Sequence, residues 1–304
     1  MSKLDGVLAV WKPEGWTSHD VVAKVRGITR ERRIGHTGTL DPMVTGVLPL
    51  CIGKATRVVE YLQELPKQYE AVLRFGIATD TEDATGKVID SKDASALTEE
   101  QVRKAVHAFV GDIEQIPPMY SAVKVDGKRL YELAREGKTV ERKSRQVTIH
   151  DIEIMELNLG VAQPTVRLRV LCSKGTYIRT LCVDIGQALG YPSTMESLIR
   201  TQSAHFTRDH CYTMDQIREA VDRGTIQELL MPIDTAVSYL PEITVMDALA
   251  HYALQGKGIP FRACSFQPLT NQLYRLYDEQ RRFYGLFQVP EQGTELRPVK
   301  VFTT

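Results

Sequence analysis

The sequence predicts an α+β protein with a mixed, largely antiparallel sheet flanked by helices, followed by a small β-rich unit. Strand-like and helix-like segments alternate without the regular spacing that parallel βαβ units require. A second group of short strand-like runs, at residues 283–289 and 297–302, follows an apparent boundary at residues 239–241. Because 304 residues suffice for two domains, we predict domains at residues 1–240 and 241–304.

Apolar alternation and capping signals place the elements of the first unit in chain order. The predicted strands are residues 6–11, 69–75, 147–157 and 165–172. The predicted helices begin at an N-cap Ser18, at a capping box headed by Thr98, at Tyr177 and at a capping box headed by Thr213. Along the strand at 165–172, Arg167 and Arg169 alternate with apolar residues, which predicts one buried face and one basic face.

Charge and cysteine content exclude several classes of protein. The 38 basic and 38 acidic residues balance, but basic residues outnumber acidic ones four to one at 26–33 and eight to four at 124–145. These two clusters are either solvated helix faces or a phosphate-binding surface. The apolar runs are too short to cross a membrane, and the N-terminal residues lack an apolar signal core. Five scattered cysteines without a Cys-x-x-Cys pair argue against disulfides or zinc and for the cytoplasm.

One loop carries most of the functional information. The run IGHTGTLDPMVTGVLP occupies residues 34–49 and holds Asp41 among three glycines and two prolines. Pro42 biases Asp41 toward an extended backbone, and the glycines permit positive φ or close backbone approach. Asp-Pro is also a common turn opener, which is the plain structural alternative. The density of constraints favours a loop that aims one carboxylate.

No second acid occurs within ten residues after Asp41, which limits the reactions in which this carboxylate could take part. A glycosidase requires a partner carboxylate across the scissile bond. A metal site requires further oxygen or nitrogen ligands nearby, so no metal is predicted. A lone, positioned carboxylate suits nucleophilic catalysis at an electrophilic carbon.

These residues closely resemble the active-site motif of the bacterial tRNA pseudouridine synthases of the TruB family. Further motifs match in family order between about residue 6 and about residue 205: KPEGWTS at 12–18, GKATR at 53–57, KQYEA at 67–71, KGTYIR at 174–179 and LIRT at 198–201. Two positions depart from the family pattern, with Val44 where alanine is usual and Ala204 where glycine is expected. The departure at Ala204 affects a local turn and none of the implied catalytic roles.

The resemblance implies a role for each candidate residue. Asp41 would be the nucleophile, attacking either the sugar or the uracil ring, and Arg179 would pair with it and lower its pKa. Tyr69 would stack on the flipped base, and Tyr177 would line the pocket and help to move the ring proton. The remaining implied contacts are an apolar wall from Leu198, displacement of the target nucleotide by His36, and a phosphate contact from Lys12. Without the resemblance, each of these side chains has an ordinary structural reading.

Substrate and partners are likewise implied by the resemblance. The substrate would be uridine 55 in the T-stem-loop of tRNA, and its isomerisation needs no cofactor because no redox step or group carrier is involved. Residues 121–146 would form a thumb-like insert that grips the RNA, and residues 241–304 a PUA-like RNA-binding domain. We expect a cytoplasmic monomer without an obligatory protein partner or a membrane attachment.

Two other functions remain open from the sequence. One is a tRNA-binding folding helper, whose main work is to open and re-form the tRNA elbow. The other is a subunit of a guide-RNA modification complex, against which the insert and the compact C-terminal unit argue. Replacing Asp41 with asparagine separates the enzyme from the folding helper, because only isomerisation requires the carboxylate.

Overall fold

The computed structural model describes residues 4–121, 123–125 and 127–302, and its centre is one large mixed sheet. The strands of this sheet are β1 (Gly6–Lys12), β2 (Ile34–His36), β3 (Thr45–Ile52), β4 (Lys67–Phe75), β7 (Gly111–Gln115), β10 (Arg145–Asn158), β11 (Thr165–Cys172), β12 (Ser193–Ser203) and β13 (Phe206–Thr207). Two short hairpins complete the first unit: β5 (Ile77–Thr79) with β6 (Val88–Ser91), and β8 (Lys124–Val125) with β9 (Lys128–Arg129). The main path runs β1-β3-β12-β4-β11-β10-β7, and its neighbours are antiparallel except for the parallel pair of β3 and β12. The predicted α+β class with a largely antiparallel sheet is therefore confirmed.

The helices follow the predicted capping signals closely. They are α1 (Ser18–Thr29), α2 (Val59–Glu64), α3 (Glu99–His107), α4 (Leu130–Arg135), α5 (Ile178–Leu189), α6 (Met214–Asp222), α7 (Ile233–Ala236) and α8 (Asp247–Leu254). The capping boxes headed by Thr98 and Thr213 are both present. The N-cap of α1 is Thr17, in a capping box with Asp20, so the prediction of Ser18 was wrong by one residue. Among the described residues, no helix is long and apolar enough to cross a membrane.

Packing against the sheet leaves the residues of β4 on two different faces. Ala71, Leu73 and Phe75 point into a core shared with α5, whose Leu181 and Ile185 are fully buried. Tyr69 lies on the same face and packs against the edge of that core. Burial of these apolar side chains is the main stabilising term for this half of the sheet. The alternation of β4 thus directs its odd-numbered residues toward the helices.

The opposite face of the same strands carries a ladder of ion pairs, not a basic surface. Arg167 lies 2.7 Å from Glu70, and Arg169 lies 3.0 Å from Glu70 and 2.7 Å from Glu153. A further pair joins Arg74 to the side chain of Glu196 across β4 and β12. Arg167 and Arg169 do face away from the core as predicted, but the prediction of a basic face was wrong. Carboxylates contributed by neighbouring strands neutralise both guanidinium groups.

A second sheet forms the C-terminal unit. Its strands are β14 (Glu242–Val245), β15 (Ile259–Pro260), β16 (Leu273–Asp278), β17 (Phe283–Gln288) and β18 (Glu295–Val301), in the order β14-β16-β17-β18-β15. The Nζ of Lys300 lies 2.7 Å from Glu60, and the Tyr277 hydroxyl donates to Asp234 at 2.9 Å, which joins the second unit to the first. The predicted β-rich C-terminal unit is therefore present.

The insert at residues 121–146 contains β8, β9 and α4. The predicted short helix at residues 129–134 corresponds to α4, displaced by one residue. Tyr131 donates its backbone N–H to the Ser121 carbonyl at 3.1 Å, and Arg142 donates to the Pro117 carbonyl at 2.9 Å. A groove of about 730 Å³ separates the insert from β10 and residues 174–175.

Candidate active site

Asp41 lies on the loop at residues 37–44, between β2 and β3. The Val44 N–H donates to the Asp41 carbonyl at 3.0 Å, so Asp41 opens a tight turn with Pro42 at its second position. The plain structural reading and the functional one therefore hold together. The turn holds the backbone while the carboxylate points away from it.

Lys12 holds this loop through hydrogen bonds from its side chain to backbone carbonyls. Its fully buried ammonium donates to the carbonyls of Pro13 at 2.9 Å, Pro42 at 3.0 Å and Val44 at 2.6 Å. Burial lowers the pKa of Lys12 to about 8, against an opposing effect of Asp41, so the group still carries its charge at pH 7. All three protons of the ammonium are used within the protein. This arrangement favours a role in holding the loop over the phosphate contact that the resemblance implied.

Further contacts fix the loop on both sides. The Leu40 N–H donates to the hydroxyl of Ser18 at 2.9 Å, which explains why Ser18 sits one residue inside α1 and is not its cap. On the other side, the buried Arg200 donates to the Gly38 carbonyl at 3.1 Å and the Val47 carbonyl at 2.8 Å. Gly46 has a φ of 124°, and a Cβ there would lie 2.2 Å from the Arg200 carbonyl oxygen. Only glycine permits this close approach of β3 to β12.

Arg179 faces the Asp41 carboxylate, as the resemblance implied. Its Nη2 lies 3.0 Å from Asp41 Oδ2 and also donates to the Tyr120 carbonyl at 2.7 Å. The Nη1 donates to the Thr81 carbonyl at 3.0 Å and lies 3.5 Å from Asp83 Oδ2. The Arg179 side chain is 5% exposed, whereas that of Asp41 is 43% exposed. A buried guanidinium, with partners at both terminal nitrogens, thus presents one of them to a partly exposed carboxylate.

The net pKa shift of Asp41 is upward, the reverse of the shift expected from Arg179 alone. Desolvation raises the pKa of Asp41 most strongly; Arg179 and Lys12 lower it, and Asp83 raises it further. Arg179 therefore contributes in the expected direction but does not outweigh burial. The pKa of the Asp41 carboxyl is therefore higher than that of a solvated aspartate.

Asp83 is a site residue that sequence reasoning missed. Its Oδ1 accepts hydrogen bonds from the Thr81 hydroxyl at 2.8 Å and the Thr85 N–H at 3.0 Å, which leaves Oδ2 facing Arg179. Asp83 thereby contacts the terminal nitrogen of Arg179 that does not face Asp41. In the sequence, Asp83 looked like one acid in an acidic stretch; the closely spaced threonines and Gly86 were the signal of an ordered turn.

Tyr69 and Leu198 lie on the neighbouring strands β4 and β12. Tyr69 on β4 is opposite Arg200, and Leu198 on β12 is opposite Ala71. Both side chains are half-buried at the edge of the core. Burial raises the pKa of the Tyr69 hydroxyl, with a smaller contribution from the charge of Asp41. The Tyr69 ring is thus within electrostatic reach of the Asp41 carboxylate, and Leu198 lies on the adjacent strand.

Tyr177 stands at the N-terminal end of α5, two residues before Arg179. The side-chain amide of the buried Gln115 brackets its backbone, accepting from the Tyr177 N–H at 2.9 Å and donating to the Tyr177 carbonyl at 3.1 Å. The guanidinium carbon of Arg145 lies 5.5 Å from the centre of the Tyr177 ring. Tyr177 and Arg179 both lie at the start of α5, so a shift of this segment moves both side chains.

His36 lies at the end of β2, where the Asp41 loop begins. Its Nδ1 accepts the Gly38 N–H at 3.3 Å, and its ring meets that of His19 edge-on at 5.5 Å. Burial, followed by the charge of His19, lowers the pKa of His36. A neutral, half-buried ring is therefore held at the rim of the loop.

No group of three or more histidine, cysteine, aspartate or glutamate side chains with metal-binding geometry occurs in the part of the chain that the structure describes.

Three family models match the chain in succession. Residues 26–178 match the N-terminal domain of the TruB family pseudouridylate synthases, residues 179–238 match the tRNA pseudouridylate synthase B C-terminal domain, and residues 241–302 match a C-terminal model of pseudouridine synthase II TruB. The second match begins at Arg179 itself. The matched segments cover most of the chain, including the loop, α5 and the second sheet.

Two curated relatives are both named tRNA pseudouridine synthase B. The tRNA pseudouridine synthase B of Bacillus pumilus is 50% identical over 259 residues, covering 84% of each chain. The protein of that name from Bacillus licheniformis is 44% identical over 301 residues, covering 98% of this chain and 97% of the relative. Among solved structures, a Cbf5-Nop10-Gar1 complex contains a chain with a TM-score of 0.75 and 28% identity, covering 99% of this chain and 85% of that one. An H/ACA RNP bound to a substrate RNA containing 2'-deoxyuridine gives a TM-score of 0.75 at 25% identity, covering 99% and 86%.

Proposed function

Because the chain belongs to the TruB family of tRNA pseudouridine synthases, we propose that it isomerises uridine 55 in the tRNA T-loop to pseudouridine. The observation that carries this proposal is the pairing of Asp41 with Arg179 at 3.0 Å. A stiff turn aims the carboxylate, and a buried guanidinium fixes its orientation.

The reaction exchanges one bond to the ribose for another. The N-glycosidic bond breaks, the uracil turns, and a carbon–carbon bond forms while a ring carbon loses its proton and the freed nitrogen gains one. The sum is redox-neutral, so the chain's own residues suffice. In this proposal Asp41 is the nucleophile, and its carboxylate regenerates when the new bond has formed.

The neighbouring side chains have matching tasks. The target base must leave its stack to reach Asp41, and Tyr69 offers a ring on which that base stacks. Leu198 supplies an apolar wall, while Tyr177 lines the pocket near the proton that is lost. His36, held neutral at the rim of the loop, takes the place of the flipped nucleotide in the stack. Lys12 supports the loop from inside and does not contact the RNA.

The two remaining regions of the chain supply affinity for the RNA. The basic insert grips the T-stem-loop, and the unit at residues 241–304 serves as a PUA-like RNA-binding domain. The exposed arginines at positions 30, 32 and 33 add positive charge beside the loop. We place the protein in the cytoplasm, as a monomer that acts without an obligatory protein partner. The solved relatives in H/ACA assemblies are described with partners, but the substrate of the curated relatives is tRNA.

Mapping pseudouridine in an unmodified tRNA transcript tests the proposal. The wild-type protein is expected to form product at position 55 only, and Asp41→Asn and Asp41→Ala are expected to form none while binding tRNA with unchanged affinity. Asp90→Asn is the matched control, because Asp90 is an exposed acid on β6 outside the site. Thermal denaturation of each variant shows that it is folded.

Each outcome assigns a function. Product at another uridine would move the substrate position and keep the enzyme. Product from Asp41→Asn at the wild-type rate would remove Asp41 from the mechanism. Tight tRNA binding by the wild type without any product would overturn the proposal and favour the folding helper, which requires no carboxylate.

A further inference from the structure

We propose that the insert at residues 121–146 sets the active-site geometry through two anchors, and that Arg145 is a positioning residue for Tyr177. The first anchor, Tyr120, immediately precedes the insert, and the second, Arg145, lies at its end. The anchors contact Arg179 and Tyr177, the two site residues in the first turn of α5. This inference rests on the proposed function, since it concerns how the same site is assembled. It adds to gripping the RNA a second task for the insert.

The first anchor acts on the residue that faces the nucleophile. The Arg179 Nη2 nitrogen that lies 3.0 Å from Asp41 also donates to the Tyr120 carbonyl at 2.7 Å. One residue further, the Ser121 carbonyl accepts the N–H of Tyr131 in α4. A displacement of α4 therefore pulls on the chain next to the carbonyl that holds Arg179.

The second anchor acts on the ring of Tyr177. The Arg145 guanidinium lies over that ring, and a Cβ added to Gly175 would lie 3.7 Å from Arg145 Nη1, so the segment before Tyr177 also approaches this side chain. Arg145 is the cross-strand partner of Gln115 in the register of β7 and β10. Gln115 holds the backbone of Tyr177 at both its N–H and its carbonyl. One pair of opposed residues thus fixes the backbone and covers the ring.

The same guanidinium faces the groove between the insert and the sheet. The groove is lined by four further cations and one acid: Lys124, Arg142, Lys143, Lys174 and Glu141. This excess of positive charge suits a phosphate backbone. Arg145 therefore belongs to two environments at once, the RNA-facing groove and the ring of Tyr177. What occupies the groove acts directly on the placement of that ring.

Single-turnover kinetics at saturating tRNA, with KM measured separately, test the role of Arg145. Arg145→Ala is expected to lower the rate about tenfold, because a cation–π contact and the ring orientation are lost together. The affinity for tRNA is expected to fall by less than about threefold, as for one phosphate contact. Arg145→Lys is expected to recover part of the rate, since an ammonium retains a weaker contact with the ring.

Two further variants separate positioning from charge and from folding. Arg57→Ala removes a guanidinium that also lies 5.5 Å from a ring, that of Phe302 in the C-terminal unit; it is expected to keep the wild-type rate. Lys143→Ala removes a charge from the groove without a ring contact, and is expected to raise KM more than it lowers the rate.

The outcomes distinguish this inference from the function on which it rests. If Arg145→Ala raises only KM, as Lys143→Ala does, Arg145 is a phosphate contact and the inference is wrong. If Arg145→Ala does not fold, Arg145→Lys decides: a lower rate with wild-type melting supports positioning, and a wild-type rate overturns it. Absence of product from the wild type would count against the proposed function instead.

Discussion

Arginine–carboxylate pairs occur on both sides of strand β4, in very different surroundings. On the back of the sheet, Arg167 and Arg169 share Glu70, and their side chains are 44% and 36% exposed. Beside Asp41, Arg179 is 5% exposed and divides its donors between Asp41, Asp83 and two backbone carbonyls. Water can replace the partners of the first two arginines but not those of Arg179. The same pair of groups is therefore a minor stabilising contact in one place and a rigid part of a site in the other.

The pKa values of Glu70 and Asp41 are shifted in opposite directions. Burial raises the pKa of Glu70, but hydrogen bonds from Arg167 and Arg169 outweigh it, so the net shift is downward. Burial also raises the pKa of Asp41, and there Arg179 does not compensate. A nearby guanidinium is thus insufficient to predict the direction of a pKa shift. The balance between desolvation and pairing decides it.

The largest expected effect comes from replacing Arg179, the buried arginine beside Asp41. Arg179→Lys places a single ammonium where a planar fork reaches two acids and two carbonyls, so we expect the single-turnover rate to fall by about two to three orders of magnitude. Arg167→Lys, the matched change on the back face, should leave the rate within about twofold. A rate for Arg179→Lys within threefold of wild type would show that the fork is not required.

The contacts of Lys12 with the Asp41 loop should contribute more to stability than the ion pairs of Arg167 and Arg169. Lys12→Met leaves three carbonyls at the base of the loop without their donor, so we expect a loss of about 2–3 kcal/mol in the free energy of unfolding. Urea denaturation measures this loss, and the product assay should show a matching loss of activity. An unchanged midpoint would mean that water replaces the ammonium.

The pH dependence of the reaction sharpens the comparison further. Because Asp41 reacts as a carboxylate and its pKa is raised, the rate should climb with pH through a midpoint above the ordinary aspartate value. Removing the negative charge in Asp83→Asn should move that midpoint to lower pH, and Arg179→Gln should move it higher. Ionised Asp41 is less favourable in the fold than in the unfolded chain, so its contribution to stability falls as pH rises through this window. A midpoint insensitive to Asp83→Asn would assign the titration to another group.

The smallest effect is expected on the ladder itself. Glu70→Gln removes the shared partner of Arg167 and Arg169, whose exposed guanidinium groups are solvated on loss of the pair. We expect less than about 1 kcal/mol in the free energy of unfolding, and a smaller difference at high salt. A loss as large as that of Lys12→Met would show that the ladder is part of the structural core.

Local sequence signals predicted the elements of the fold well. The capping boxes headed by Thr98 and Thr213 involve residues three apart, and both form as written. The start of α1 was misplaced because Thr17 and Ser18 are adjacent hydroxyl residues, and the partner that selects Thr17 is Asp20 instead of a glutamate or glutamine. The orientation of Arg167 and Arg169 followed from alternation along a single strand. Their partners did not, because the pairing register of β4, β10 and β11 is a property of the whole sheet.

The candidate site shows the same division between local and distant information. Motif order found Asp41 and Arg179, and the structure brings them within 3.0 Å of each other across the chain. The direction of Lys12 could not be predicted, because β1 is buried along nearly its whole length and lacks the alternation that would show an inward side chain. In the sequence, Arg145 is one of eight basic residues of the insert. Its contact with the Tyr177 ring could not be predicted from the sequence.

The clamp on the loop has a consequence for the order in which the site is made. Lys12, Ser18 and the backbone groups that they bind lie within the first 44 residues of the chain. The arginines that contact the loop from elsewhere in the chain are Arg179 and Arg200. Both follow residue 44 by more than 130 positions. During synthesis from the N-terminus, the ribosome delivers the loop and its ammonium clamp long before the partner of Asp41. The nucleophile is thus held in place early, and the site is complete only when about two thirds of the chain has emerged.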